Sequence, residues 1–207
     1  PQGARVGVAG DTPTIAMMFP GQGAQRVGML RDIRNRFPVV SETLNSLEEA
    51  LSEELPLPLT HLIYPEARDV AVDEATAASQ LTDTAHCQPA MFSCGIALYN
   101  LLQQVGITPE VVIGHSLGEF TAAAAGGVCS PEQTARFVAR RGRAMAALPG
   151  DHGAMAAIMA DRDTAAQFLV DGAVLANFNH PRQLVISGAS EAVAQVVKNA
   201  KKADVKA

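Results

Sequence analysis

No run of basic residues occurs anywhere in the chain, and its net charge is −5 over 207 residues. That balance argues against nucleic acid as the main partner, because phosphate backbones are held by clustered Lys and Arg. No uninterrupted apolar stretch is long enough to span a bilayer and no secretory signal pattern is present, so neither a membrane nor export is expected. Cysteine is scarce. Cys87, Cys94 and Cys129 are odd in number and lack C-x-x-C spacing, which disfavours disulfides and zinc and suits a reducing cytoplasm. No metal site is expected. Charged residues make up only 18% against 48% hydrophobic, so a buried core is readily supplied and disorder is not expected. Internal repeats and low-complexity stretches are also missing. An initiator Met is lacking and the chain stops at "KKADVKA", so it reads as a piece of a longer polypeptide.

What is there centres on "VVIGHSLGEFTAAAAGG", residues 111 to 127. Val111 to Ile113 reads as a buried strand, and Glu119 to Ala125 is rich in helix formers. Gly114-His115-Ser116-Leu117-Gly118 between them fits a G-x-S-x-G nucleophile elbow in a strand–turn–helix context. The plainer alternative is a βα turn whose serine caps the following helix. A second loop, "FPGQGAQ" at 19 to 25, follows the short apolar stretch "TIAMMF". It could bring backbone N–H groups up to Ser116, or be an ordinary tight loop. A phosphate-binding role is disfavoured because no Gly-Lys-Ser/Thr follows. Leu117 N–H, just after the serine at a helix N-terminus, is placed to favour an oxyanion.

Helical patterning is expected at 37 to 54, at 89 to 104 with Gly106 as the stop, and at 131 to 148. The last opens with Ser130 as N-cap and Pro131 at the first helical position. "LPLPLTHLIYPEA" is expected to wrap the surface as loop. In helix 131 to 148, Thr134, Val138, Arg141, Met145 and Leu148 share one stripe, while Arg136, Arg140 and Arg143 lie off it and are expected to face solvent. An arginine on a core-facing stripe needs a partner. That partner is either an internal Asp or Glu, or the carboxylate of a substrate held by the guanidinium fork. Of five histidines, His61, His152 and His180 read as surface or structural. His115 diverges from the adjacent serine, and His86 is the nearest local candidate for a general base, without being convincing.

After residue 148 the order is strand (153 to 160), helix (163 to 171), strand (173 to 179), tight "HPR" turn, strand (183 to 188) and amphipathic helix (190 to 202). This β-α-β-β-α series is one strand short of the ferredoxin-like motif, and the missing strand would begin at Asp204-Val205. The expected organisation is a linker at 1–13, an α/β unit at 14–148 and an α+β unit at 149–207.

"FPGQGAQ", "QPAMF", "GHSLGEF", "ARRGRAM", "GAMAAI" and "NFNHPRQLVISG", in that order, resemble malonyl-CoA:acyl-carrier-protein transacylases and the acyltransferase domains of polyketide and fatty-acid synthases. The resemblance covers residues 14 to about 202. It implies an α/β-hydrolase-like large subdomain with an inserted ferredoxin-like subdomain, the C-terminal part missing. It implies Ser116 as nucleophile, Gln22 and Leu117 as backbone oxyanion donors, and substrate binding by Arg141, Gln88, His115 and Asn179. No cofactor is expected to be bound; the substrates would be a coenzyme A thioester, malonyl-CoA, and the phosphopantetheine thiol of an acyl carrier protein, with adjacent synthase domains as partners. Leu117 resembles malonyl-selective members. The family's base histidine lies in a segment beyond the end of this chain. Rival readings are a serine esterase or thioesterase on the same elbow, and a non-catalytic docking module.

Overall fold

A computed structural model describes residues 14–68, 71–147 and 153–207. The linker at 1–13, residues 69–70, and residues Leu148 to His152 with the expected unit boundary at 148/149 therefore lie outside the described residues. The elements run β1 (Ala16–Phe19), α1 (Arg31–Arg36), α2 (Pro38–Ala50), α3 (Leu59–Ile63), a 3₁₀ turn (Pro65–Ala67), α4 (Glu74–Thr82), α5 (Thr84–Gln104), β2 (Val111–Gly114), α6 (Gly118–Ala125) and α7 (Pro131–Ala146). They continue with β3 (Ala154–Ile158), α8 (Arg162–Ala166), β4 (Ala173–His180), β5 (Gln183–Gly188) and α9 (Ser190–Lys202). The chain divides into two compact units, Pro1–Ala147 and Leu148–Ala207. Among the described residues no helix is long and apolar enough to cross a membrane.

In the first unit β1 and β2 pair in parallel, Ala16 opposite Val111 through Phe19 opposite Gly114. Parallel pairing needs a crossover, and α1 to α5 supply it. α5 is apolar around most of its circumference, which suits a helix surrounded by others. Phe92 and Ile96 from it pack with Leu44 and Leu47 of α2 and Val138 of α7 in one core. By strand alternation Phe19 is buried, its ring centre 6.3 Å from that of Tyr99 on α5, whereas Met18, Val111 and Ile113 are 74%, 47% and 46% exposed. The described residues leave that face of the sheet open.

Two expectations fail here for physical reasons. The Pro-rich stretch is not simply a surface loop, because Leu59 to Ile63 form α3, and Leu59, Leu62, Ile63 and Tyr64 are buried. The cap of this turn comes from another helix. The Glu48 carboxylate on α2 accepts from both Thr60 N–H and Thr60 Oγ1–H at 2.6 Å. α5 begins at Thr84, five residues before Pro89, because Asp83 caps it by accepting from Ala85 N–H at 2.8 Å. Proline early in a helix costs one backbone bond without ending it when the rest of the helix is buried. α1 and α4 have no counterpart in the sequence reading. The expected Ser130 cap is present, accepting from Gln133 N–H at 3.2 Å.

The second unit is a three-stranded antiparallel sheet in the order β3-β5-β4. Helix α9 lays Val193, Val196 and Ala200 on it beside Ile158 and Ile186. Past α9 the backbone turns back, and Met159 N–H donates to the Lys206 carbonyl at 2.9 Å. Val205 and Ala207 pack against the same cluster.

Candidate active site

Ser116 has φ 53, in the left-handed region that few residues other than glycine adopt. Such a conformation costs about 1–3 kcal/mol and persists only where surrounding structure imposes it. The imposition comes from both sides. His115 N–H donates to the Phe19 carbonyl at 3.0 Å, continuing the sheet, and Gly118 N–H donates to the His115 carbonyl at 2.9 Å, closing the turn. A β-carbon on Gly118 would run into the Phe19 carbonyl, and one on Gly114 into the Gly118–Glu119 peptide. No other residue type fits either position without moving backbone. Ser116 is exposed while Leu117 buries its side chain in the core, so the turn turns the serine outward.

The serine is not a helix cap. α6 has Leu117 at its N-cap position, in helical conformation, and no side chain bonds the first turn. The N–H groups of Gly118, Glu119 and Phe120 donate to the carbonyls of His115, Ser116 and Leu117, which leaves the Leu117 N–H, directly after the serine, outside this ladder. The loop after β1 runs across this point: a β-carbon at Gly21 would lie 3.3 Å from Ser116 Cβ and 2.8 Å from the His115 carbonyl. The Gln22 side chain turns away to donate to Thr84 Oγ1 at 3.2 Å, and Gln25 accepts from Gly23 N–H at 2.7 Å, folding the loop on itself.

Arg141 lies half-buried on α7. Its Nη1 donates to Gln88 Oε1 at 2.7 Å, and its guanidinium sits 5.5 Å from the centre of the Phe120 ring. Phe120 in turn packs on Phe137, ring centres 5.2 Å apart. Gln88 is 1% exposed and donates its other amide end to Met145 Sδ at 3.4 Å. Among the described residues the ion pairs are Arg31–Glu66, Arg140–Glu54 and Arg143–Glu54, and none involves Arg141. Among the described residues, then, no internal Asp or Glu explains Arg141 structurally. A neutral amide and a ring face hold the cation in place without cancelling its charge. Phe120 was missed by sequence reading, although its place four residues after Ser116, one turn into α6, puts it beside the elbow.

Other parts of the expected stripe need correction. Thr134 and Val138 are buried, but Met145 is 43% exposed, and Leu148 lies outside the described residues. Arg136, Arg140 and Arg143 do not simply face solvent: each bonds to the C-terminal end of α2 or the turn after it.

The histidines separate as follows. His86 sits in the first turn of α5 with Nδ1 3.0 Å from the Gln80 carbonyl, a structural bond. His61 lies on α3, and its carbonyl accepts from Arg68 Nε at 2.7 Å. His180 ends β4 and accepts on Nδ1 from Arg182 N–H at 3.1 Å. His115 is exposed on the elbow, and Asn179 lies on β4 in the second unit. Two of the three cysteines are poor rivals to the serine. Burial pushes the Cys87 thiol up to about 11 and the Cys94 thiol up to about 12, so both stay protonated at neutral pH. Among the described residues no group of three His, Cys, Asp or Glu side chains is arranged to hold a metal ion.

A sequence model of the acyl transferase domain matches residues 16–207. The chain belongs to the acyl transferase domain family. It is 38% identical over 194 residues to the phenolphthiocerol synthesis polyketide synthase type I Pks15/1 of Mycobacterium marinum, covering 94% of this chain and 9% of that protein. Its fold matches the crystallised acyltransferase domain from the second module of the salinomycin polyketide synthase, with TM-score 0.81 and 34% identity over 94% of this chain and 43% of that one. It also matches a malonyl-transacylase solved in complex with its type II polyketide synthase acyl-carrier protein, with TM-score 0.78 and 33% identity over 94% of this chain and 61% of that one. Acyl transferase domains of polyketide synthases and malonyl transacylases are thus its relatives, and it spans a small part of the former's polypeptide.

Proposed function

We propose that the chain forms part of an acyltransferase that moves a malonyl group from coenzyme A through an acyl-serine to the phosphopantetheine thiol of an acyl carrier protein. Ser116 Oγ attacks the thioester carbonyl and gives its proton to a general base. The oxygen that becomes negative is met by the backbone N–H groups of Leu117 and Gln22, which act where charge develops in the transition state. Collapse breaks the carbon–sulfur bond and releases coenzyme A as the thiol. The phosphopantetheine thiol then attacks the serine ester by the same path, which gives ping-pong kinetics. Throughout, Arg141 holds the malonyl carboxylate in its planar fork, with Gln88 fixing one end of the guanidinium and Phe120 its face. His115 on the elbow and Asn179 on β4 are each assigned to substrate binding in this reading. Leu117 follows the pattern of malonyl-selective members.

The general base is a histidine beyond Ala207. Supporting this, His86 is engaged with Gln80, the chain covers 61% of the carrier-protein-bound transacylase, and one face of the β1–β2 sheet is open. The second unit is the ferredoxin-like insertion. Its β3-β5-β4 order and the return of residues 204–207 along the free edge of β3 support that assignment.

The observation that carries the reading is the half-buried Arg141 with no carboxylate partner among the described residues. An esterase acting on uncharged acyl groups leaves it unexplained. The test is the malonyl-to-acetyl ratio of kcat/KM in the full-length protein and in Arg141→Ala. Loss of one partner of a desolvated charge pair costs roughly 2–5 kcal/mol, so malonyl transfer should fall by about 30-fold or more. Acetyl transfer should hold or rise. An equal fall for both substrates would overturn the assignment.

A further inference from the structure

We infer that Glu54 is a positioning residue for malonyl selectivity, acting through helix α7 on Arg141; the inference rests on the carboxylate-binding role of Arg141 proposed above. Glu54 lies just past α2 and is 7% exposed, an unusual place for a carboxylate unless it is paired. Its two oxygens are divided between two arginines. Oε1 accepts from Arg140 Nε at 2.7 Å and Arg140 Nη2 at 2.6 Å, and Oε2 accepts from Arg143 Nη2 at 2.6 Å. Arg143 Nη1 also donates to the Glu54 backbone carbonyl. One turn earlier, Arg136 Nε donates to the Ala50 carbonyl at 3.0 Å. α2 has no basic residue in its own last turn, so α7 supplies the cations that the carbonyl end of α2 attracts.

Residues 136, 140 and 143 share one face of α7, and 134, 138 and 141 share the nearly opposite one, about 160° around. A carboxylate that grips two arginines on one face therefore sets the rotation of the helix as well as its distance from α2. The opposite constraint comes from Gly142. A β-carbon there would lie 2.6 Å from the Thr84 carbonyl and 3.0 Å from Ala85 Cα, so α7 lies directly on the start of α5, one turn before Gln88. Arg141 stands between the two constraints. A rotation of about 10° moves a group ~5–6 Å from a helix axis by about 1 Å. That displacement exceeds the tolerance of a bidentate contact, and misplacement of this size costs up to about 10²-fold in rate.

Arg140 and Arg143 are themselves 67% and 45% exposed, so neither is needed to fill the core. They can be cut from the clamp while the fold stands. The experiment measures kcat/KM for malonyl and acetyl thioesters in the full-length protein carrying Glu54→Gln, Arg140→Gln or Arg141→Ala. Glu54→Gln should lower the malonyl-to-acetyl ratio by about fivefold or more and Arg140→Gln by about twofold, with acetyl transfer unchanged in both. Glu54→Asp keeps the charge with a shorter reach and should fall between wild type and Glu54→Gln. Should Glu54→Gln fail to fold, Arg140→Gln decides. A ratio unchanged in Arg140→Gln and Glu54→Gln while Arg141→Ala lowers it would overturn the positioning role and leave the proposed function standing. Equal losses for both substrates would show a clamp that is structural only. A ratio unmoved by Arg141→Ala would overturn the proposed function itself, and the inference with it.

Discussion

Two regions of the first unit treat their polar groups in opposite ways. At the α2–α7 contact, a buried carboxylate has each oxygen bonded, by Arg140 and Arg143, while Arg143 and Arg136 also satisfy two backbone carbonyls. The elbow and the face of α7 that carries Arg141 hold instead a serine in a costly conformation, a helix start with no side-chain cap, and an arginine held by an amide and a ring but, among the described residues, no anion. The first region is closed upon itself and its contribution is to stability and alignment. The second is left electrostatically incomplete, which a folded protein tolerates where a ligand completes it. Adjacent residues of one helix, Arg140 and Arg141, fall on either side of this divide.

The largest expected effect breaks the comparison at the elbow. In the full-length protein, Ser116→Ala should abolish the malonyl adduct seen by intact mass after incubation with malonyl-CoA. Ser116→Gly should do the same while relieving the positive φ, so its stability should equal or exceed wild type by up to about 1 kcal/mol. An adduct that survives on Cys129 would shift the chemistry away from the serine. A marked loss of stability in Ser116→Gly would mean that the hydroxyl supports the fold and the contrast between the regions fails.

Next in size is the exchange of one cation for another. Arg141→Lys keeps the charge but loses the fork that reaches Gln88 and a carboxylate together. It should recover only part of the malonyl transfer lost in Arg141→Ala. Full recovery would show that a point charge is enough and that the bond to Gln88 has no role in recognition.

How much of this was legible in the sequence follows the range of the forces involved. Strand β5 and helix α9 were read at their observed ends, Gln183–Gly188 and Ser190–Lys202, since alternation and amphipathicity are local. The elbow and the Ser130 cap were likewise written in neighbouring residues. α3 was missed because its cap is Glu48, twelve residues back on another helix. α5 starts earlier than the pattern suggests because Pro89 resembles a boundary, whereas Asp83 and burial carry the helix through it. The stripe on α7 placed Arg141 on the correct face, but periodicity is silent about partners separated by more than eighty residues. Arg140 and Arg143 were therefore left to solvent, and Glu54 went unnoticed in a run of acidic residues. That no carboxylate among the described residues pairs with Arg141 is beyond any pattern, since it is a fact about three dimensions.

The smallest expected effect sharpens the comparison by titrating the closed region alone. Hydrogen bonding from Arg140 first, then from Arg143, with the attraction of both charges, holds the Glu54 carboxyl below its ordinary value of 4.5 despite its burial. Arg136 faces the same cleft from α7, and Glu49 and Glu53 lie beside it on the α2 side. A carboxyl whose folded value is depressed binds protons more readily when unfolded. Its stabilisation is therefore present in full above pH 4.5 and is lost as pH falls through the lower folded value. Asp73 and Asp161, capping carboxylates with depressed values of their own, lose stability over the same range, so wild type alone cannot isolate the clamp. The difference between wild type and Glu54→Gln can. Hydrogen-exchange protection of the α7 amides, corrected for the intrinsic rate at each pH, should be higher in wild type at pH 6 and converge with Glu54→Gln as the pH is lowered below 4.5. Added salt should narrow the difference at pH 6 only in part, because Arg140 is open to solvent and screened while the Glu54 oxygens are not. A difference that stays constant across the range would mean that the Glu54 charge contributes nothing and that packing alone holds α7 against α2.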